Sequence, residues 1–421
     1  MEIDLAFGRT GLKAELPGGF RYRVLEARSA KPLADWQEAL EAALDAPIGC
    51  APLSMLAAGK KSAAISVCDI TRPAPNSKTL PPLLRRLLEA GIPRQNITIL
   101  IATGLHRAAT PDEMREICGA EVAAGFRVVN HMAREFSSHR PLGRAPAGTP
   151  VYIDERFIAA DLHITLGFIE PHLMLGYSGG RKLIAPGLAA KETIEVLHSP
   201  KFMRDPRAVE GSIEGNPLHQ ELLAISRMAR HDFMLDVALA RDRSIAAIFA
   251  GDPAHAHPCG YRFVSETMLE SLPEPVDAVI TTAAGYPLDL TYYQSIKGVT
   301  AASHIVKPGG HILLMGACEE GVGAEEFRRM VLAGESDAGF LSRIESTPVA
   351  IDQWQLEKLA LVTTRKHVSW YVPGLPAEYR EKLWGRCHPT PQAAMDGLAR
   401  ELAPGATVAV IPEGPYVLAR C

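Results

Sequence analysis

No two cysteines of this 421-residue sequence stand in a C-x-x-C spacing. The seven present, Cys50, Cys68, Cys118, Cys259, Cys318, Cys387 and Cys421, are scattered and odd in number. That pattern speaks against a disulfide framework and against a cysteine zinc site, and fits a reducing compartment. No run is apolar for the roughly 20 residues a bilayer span requires. Met1 to Gly8 carries Glu2 and Asp4 with no apolar run behind it, so neither a membrane segment nor a signal peptide is expected. The formal net charge is -4 and no long basic block occurs, which disfavours nucleic acid and anionic membranes as partners. The phosphate-binding order G-x-x-x-x-G-K-[ST] is missing, and so is a G-x-G-x-x-G fingerprint after a strand. The first absence removes a Walker-type nucleotide enzyme, the second an ordinary NAD-dependent dehydrogenase. A cytoplasmic, soluble protein is the expectation.

What remains is a globular composition, 47% hydrophobic and 22% charged, in a chain long enough for two domains. Short β-branched runs alternate with helical segments. Ala63 to Val67, Ile97 to Ala102, Arg127 to Asn130 and Leu162 to Leu166 read as strands. Lys78 to Ala90 reads as an amphipathic helix, and Pro111 to Cys118 as a short one capped by Thr110. After the proline-marked break at 271–275 the pattern restarts. Val276 to Thr282, Gly310 to Met315 and Thr407 to Ile411 are strands there, and Leu290 to Val299, Phe327 to Ala333 and Pro391 to Leu402 helices. The fold class is α/β: two α/β domains with mostly parallel sheets, 1–270 and 271–421, with the active site in the interdomain cleft. The last strand could pair in either domain.

Ligands of parallel sheets sit beyond the carboxyl ends of the strands. Three segments there carry chemistry: Asp69 to Pro73 (DITRP), Thr103 to Arg107 (TGLHR) and Gly167 to His172. His106 and His172 both follow strand ends, where acid-base groups gather. Arg72 could fork onto a carboxylate or phosphate, or sit in a turn capped by Asp69. Gly176 to Lys182 (GYSGGRK) is a glycine-rich turn ending in a cation pair, and the neighbouring Arg181 would favour the neutral amine of Lys182. A surface Arg-Lys pair is the plainer alternative. His198 closes a helix from about Ala190, which Ser199-Pro200 stops. It lies four residues from Ile194 on one face, or else simply meets the helix dipole. Gln294 and Lys297 share a helical face, which could equally be solvated. His255, His257, His311 and His388 suggest no site and read as surface or packing residues.

In this order the motifs DITRP, TGLHR, EPH at 170–172, GYSGGRK, KETIEVLH at 191–198 and YYQSIKG at 292–298 resemble the nickel-pincer nucleotide-dependent lactate racemase family of 2-hydroxyacid racemases and epimerases. The resemblance covers most of the chain. It implies that Lys182 carries the cofactor covalently, a pyridinium-3,5-bisthiocarboxylic acid mononucleotide holding nickel. His198 is then the protein ligand to the metal. His106 and His172 are the acid-base pair on opposite faces of the substrate. Arg72, Gln294 and Lys297 hold its carboxylate, with Asp69, Tyr293 and Trp354 at the substrate site. The implied reaction removes hydride from C2 of the 2-hydroxyacid and returns it to the other face, which avoids a carbanion beside a carboxylate. The cofactor further implies dedicated biosynthesis proteins as partners.

Lactate is the expected substrate. Malate, phenyllactate, 2-hydroxyglutarate or a sugar acid are alternatives within the family, because one methylene discriminates by only about 1–3 kcal/mol. A non-catalytic nucleotide-binding protein is the reading from a different class. It predicts dispensable His106 and His172 and no metal.

Overall fold

The structure, a computed structural model, describes residues 1–421. Its principal strands are β1 (Arg21–Val24), β2 (Ala63–Cys68), β3 (Ile97–Ala102), β4 (Arg127–Asn130), β5 (Leu162–Phe168), β6 (Phe233–Leu239), β7 (Ile245–Gly251), β8 (Val276–Thr282), β9 (Val306–Met315), β10 (His367–Tyr371), β11 (Arg386–Cys387) and β12 (Thr407–Ile411). The helices used below are α1 (Asn76–Glu89), α2 (Lys191–Leu197), α3 (Pro200–Met203), α4 (Tyr292–Ser303) and α5 (Gln353–Thr363).

Contacts divide the chain into two compact units. One holds Ser29–Leu197 and Arg207–Thr267 and is called the lysine unit here. The other, the tryptophan unit, holds Met1–Arg28, His198–Pro206 and Met268–Cys421. The expected division into 1–270 and 271–421 is contiguous, whereas two segments of the first part, Met1–Arg28 and His198–Pro206, fall in the unit of the second. The first 28 residues join the later half because β1 adds to its sheet, pairing with β12. His198–Pro206 joins it through contacts with α5.

The lysine unit is built on a six-stranded sheet of order β7-β6-β5-β2-β3-β4. All neighbours are parallel except β6 and β7. All residues of β2 and β5 are buried, as apolar strands covered on both faces must be. The α1 helix packs Leu80, Leu83, Leu84 and Leu87 into that core, the four leucines recurring at helical spacing. Thr110 caps the helix Pro111–Cys118 through a capping box with Glu113. The chain runs from β2 to β3 and β4 on one side, then returns to β5 on the other. The switch point is thus between β2 and β5, and their carboxyl ends open a natural ligand position.

The sheet of the tryptophan unit has the order β11-β10-β9-β8-β12-β1, parallel throughout. The late strand β12 therefore pairs here, between β8 and β1. The switch point of this sheet lies between β8 and β12, and α4 follows β8. The helix expected from Leu290 starts at Tyr292, where Thr291 caps it by accepting from the Gln294 N–H. Pro200 does not simply stop a helix. Leu197 ends α2, and Pro200 then occupies the first turn of α3, where its missing N–H costs nothing.

Candidate active site

In the lysine unit the chemistry gathers at the carboxyl ends of β2, β3 and β5. Asp69 follows β2 and is 7% exposed. Its Oδ2 lies 2.7 Å from Nδ1 of His106, and its Oδ1 accepts from the Thr71 hydroxyl at 2.7 Å. Burial alone would raise the Asp69 carboxyl. The hydrogen bonds from His106 and Thr71 and the charge of Arg72 outweigh it and hold the group below the usual carboxylate range. An ionised Asp69 orients the imidazole by its Nδ1–H and leaves Nε2 for a ligand. More than half of the His106 side chain is exposed, so that nitrogen is accessible.

The glycine-rich segment docks on the same sheet end. The Ser66 hydroxyl on β2 donates to the Leu183 carbonyl at 2.7 Å. The Gly104 N–H, past β3, donates to the Gly187 carbonyl at 3.1 Å, and Gly187 N–H donates back to the Lys182 carbonyl. The charges of Asp236, Lys182, Asp69 and Arg72 all act on the Cys68 thiol, the last residue of β2, although burial dominates and pushes it up to about 12. The lysine turn, DITRP and TGLHR therefore share one place.

Lys182 sits in the single 3-10 turn Gly180–Leu183. Two positions before it require glycine. Gly176 has φ +75°, and a Cβ there would lie 2.3 Å from the Ser212 carbonyl oxygen. Gly179 has φ +82°, and a Cβ there would lie 2.4 Å from Asp236 Oδ2. That same oxygen accepts from the Gly180 N–H at 2.7 Å. Asp236 is fully buried on β6, and desolvation raises its carboxyl to about 7 against the opposing Gly180 hydrogen bond and Arg181 charge.

Arg181, the neighbouring cation, is not at the surface. Its guanidinium donates to the carbonyls of Leu175 and Tyr177 and lies 2.9 Å from His257 Nε2. Burial brings it down to about 9. His257 is a buried packing residue, and desolvation and Arg181 hold it well below the usual imidazole range. Arg181 thus braces the turn from beneath. His172 lies on the hairpin Pro171–His172 / Gly176–Tyr177, directly opposite Gly176. Ser178 pins this hairpin by accepting from the Glu170 N–H and donating to the Phe168 carbonyl.

The remaining expected residues lie in the tryptophan unit. His198 packs its ring against Trp354, with centroids 4.4 Å apart. The Trp354 indole N–H donates to the Tyr293 hydroxyl at 3.2 Å. Gln294 follows on the first turn of α4, with its buried side-chain carbonyl oxygen unpartnered, and Lys297 lies three residues on. Grouping by unit therefore separates two sets. Asp69, Arg72, His106, His172 and Lys182 belong to one, and His198, Tyr293, Gln294, Lys297 and Trp354 to the other. No group of three or more His, Cys, Asp or Glu side chains is arranged to hold a metal by itself. The sequence reasoning missed Asp236, although a lone acid inside the apolar run FMLDVAL is a readable signal. It also missed α5 as a helix, and with it Glu357 and Lys358.

Residues 7–211 match the family model described as the lactate racemase N-terminal domain, and residues 272–419 the lactate racemase C-terminal domain. The chain is 35% identical over 388 residues to a lactate racemase of Lactiplantibacillus plantarum, covering 91% of each chain. It is 33% identical over 431 residues to a lactate racemase of Thermoanaerobacterium thermosaccharolyticum, covering 99% of each. The structure of the lactate racemase apoprotein from the latter organism superposes with a TM-score of 0.93 at 32% identity, over the whole of both chains. A Thermotoga maritima crystal structure at 16% identity, TM-score 0.68, covering 93% of this chain and 99% of its own, shares the fold.

Proposed function

The chain belongs to the lactate racemase family, and on that premise we propose that it interconverts the enantiomers of lactate with a nickel-pincer nucleotide held covalently by Lys182 and by His198 at the metal. The residues fit such a group. Lys182 offers an amine at a turn fixed by Asp236 and Arg181. An imidazole suits nickel, and the His198 ring is nearly buried against Trp354. The buried Gln294 oxygen has no donor within the chain, as befits a side chain whose polar environment a ligand completes.

When bound, the cofactor supplies the acceptor and donor of hydride at C2. The chain's own residues do the rest. His106, its Nδ1–H held by Asp69, takes the hydroxyl proton on Nε2. His172 does the same for the other enantiomer, since a racemase needs a base for each. Each positioned base is worth about 10²–10⁴ in rate. Arg72, Gln294 and Lys297 hold the substrate carboxylate, Gln294 by donating from its amide N–H. Tyr293 and Trp354 bound the site with aromatic surface.

No helix is long and apolar enough to cross a membrane. The seven cysteines are all free, which supports a reducing, cytoplasmic setting. The cofactor requires other proteins for its synthesis, and this reading makes them partners beside the small-molecule substrate.

The observation that carries this reading is the Asp69–His106 pair beside the lysine turn on one sheet end. Protein from cells that make the cofactor should racemise L- and D-lactate, followed by chiral chromatography. Cofactor-loaded protein that leaves both enantiomers unchanged would overturn it.

A further inference from the structure

The segment His198–Pro206 belongs to the tryptophan unit although the helix before it, α2, belongs to the lysine unit. Arg204 bonds to the Leu341 carbonyl and to Glu345 in that unit, and three side chains of α5 add to the hold. Trp354, Glu357 and Lys358 stand at i, i+3 and i+4, so they share one helical face. All three are buried, at 7%, 0% and 6% exposure. Trp354 packs on the His198 ring. Glu357 Oε1 accepts from Arg204 Nε at 3.0 Å. Lys358 Nζ donates to the Met203 carbonyl at 2.7 Å. Met203 ends the single turn of α3 and Arg204 caps it, so the ammonium ties down the carbonyl at the end of that turn.

These contacts are costly ones to build for stability alone. Desolvation of a carboxylate and an ammonium offsets most of their attraction, and apolar side chains of like volume would pack as well. The Glu357 carboxyl is pushed up by burial, against the hydrogen bond and charge of Arg204. What the charges do supply is geometry. They grip α3 at its far end, Pro200 fixes its first turn, and the residue two positions before that proline is His198. Trp354 packs on the ring itself, and its own plane is set by the bond to the Tyr293 hydroxyl. Tyr293 in turn stands edge-on to Phe327.

We propose that this face of α5 is a clamp for the His198 imidazole, with Trp354, Glu357 and Lys358 as positioning residues that pre-set the ring for metal ligation. The metal part of the inference rests on the cofactor reading above. The ordering of the ring does not. A histidine ligand that must also be immobilised on binding loses affinity by that cost, and groups that orient a ligand typically matter about 10–100-fold in metal affinity.

Two measurements test it. In apoprotein with 13C-labelled histidine, the His198 ring signal should carry the ring-current shift of Trp354. It should lose that shift in Trp354→Ala and keep most of it in Trp354→Phe. In cofactor-loaded protein, Trp354→Ala should retain the Lys182 adduct in intact mass yet lose nickel to EDTA about 10–100-fold faster than wild type. Trp354→Phe should restore most of the difference, and Lys358→Met should move both readouts in the same direction as Trp354→Ala. An unshifted His198 signal in wild-type apoprotein, or wild-type nickel retention in Trp354→Ala, overturns the clamp. An unchanged Lys358→Met overturns the part given to the charged grip. Wild-type protein with neither adduct nor nickel, but with the shifted ring signal, overturns the cofactor reading instead.

Discussion

The Nδ1 atom of His106 lies 2.7 Å from Oδ2 of Asp69, a buried carboxylate at the carboxyl end of β2. The two residues come from different strand-end loops, 37 positions apart. Their pairing commits Nδ1 of the imidazole and leaves Nε2 open.

Asp69→Asn keeps the size of the side chain but can present its amide to Nδ1 and favour the wrong tautomer. It should lower kcat for lactate racemisation by about 10²–10⁴ while leaving the Lys182 adduct and nickel content unchanged. Initial rates in both directions, with metal analysis of the same samples, check this. A rate close to that of wild type removes Asp69 from the mechanism.

His106→Ala and His172→Ala should each lose about 10²–10⁴ of activity and still bind nickel, because neither is a ligand in this reading. Loss of the metal from either variant would move that residue into the coordination sphere.

Asp236 has its carboxyl raised to about 7 in the folded chain, against about 3.9 for a free one. Between those values the folded state holds a proton that the unfolded chain has released. Stability should therefore fall as pH rises from about 4 to about 7, and level off above. A difference of that size between the folded and unfolded chain corresponds to about 4 kcal/mol. Asp236→Asn can still accept from the Gly180 N–H and should flatten this slope, with its gain largest at alkaline pH. Denaturant midpoints measured at about pH 5 and about pH 8, on either side of the folded-state titration, test it. Equal slopes in both proteins would refute the assignment.

Gly179→Ala places a methyl group against Asp236 Oδ2 at a left-handed φ. It should cost about 1–3 kcal/mol in stability and reduce the fraction of chains modified at Lys182. Thermal unfolding and intact mass read the two effects separately. Full modification would show that the turn tolerates displacement.

The alternation of apolar strands with helices was legible because parallel strands buried on both faces must be mostly apolar, as in β2 and β5, where Ser66, His163 and Thr165 are the polar exceptions. So was the position of His106, since the loop after a strand is local. The assignment of Met1–Arg28 and His198–Pro206 to the later unit was not legible. Strand β1 has an exposed, polar-looking sequence, and its pairing with β12 is a long-range choice. His257 could not be told from its surface-like neighbour His255 by pattern, because burial at one helix position depends on what packs there.

The sequence by itself determined the α/β class, the strand-end loops and the family, because these rest on local periodicity and on the order of short motifs. Only the tertiary structure decided that Asp69 holds His106, that Asp236 and Arg181 support the lysine turn, and that α5 grips the segment after His198. The Asp69, Asp236 and α5 links join residues distant in sequence, and the inward turn of Arg181 depends on burial beside His257, so whether they form depends on how the whole chain packs.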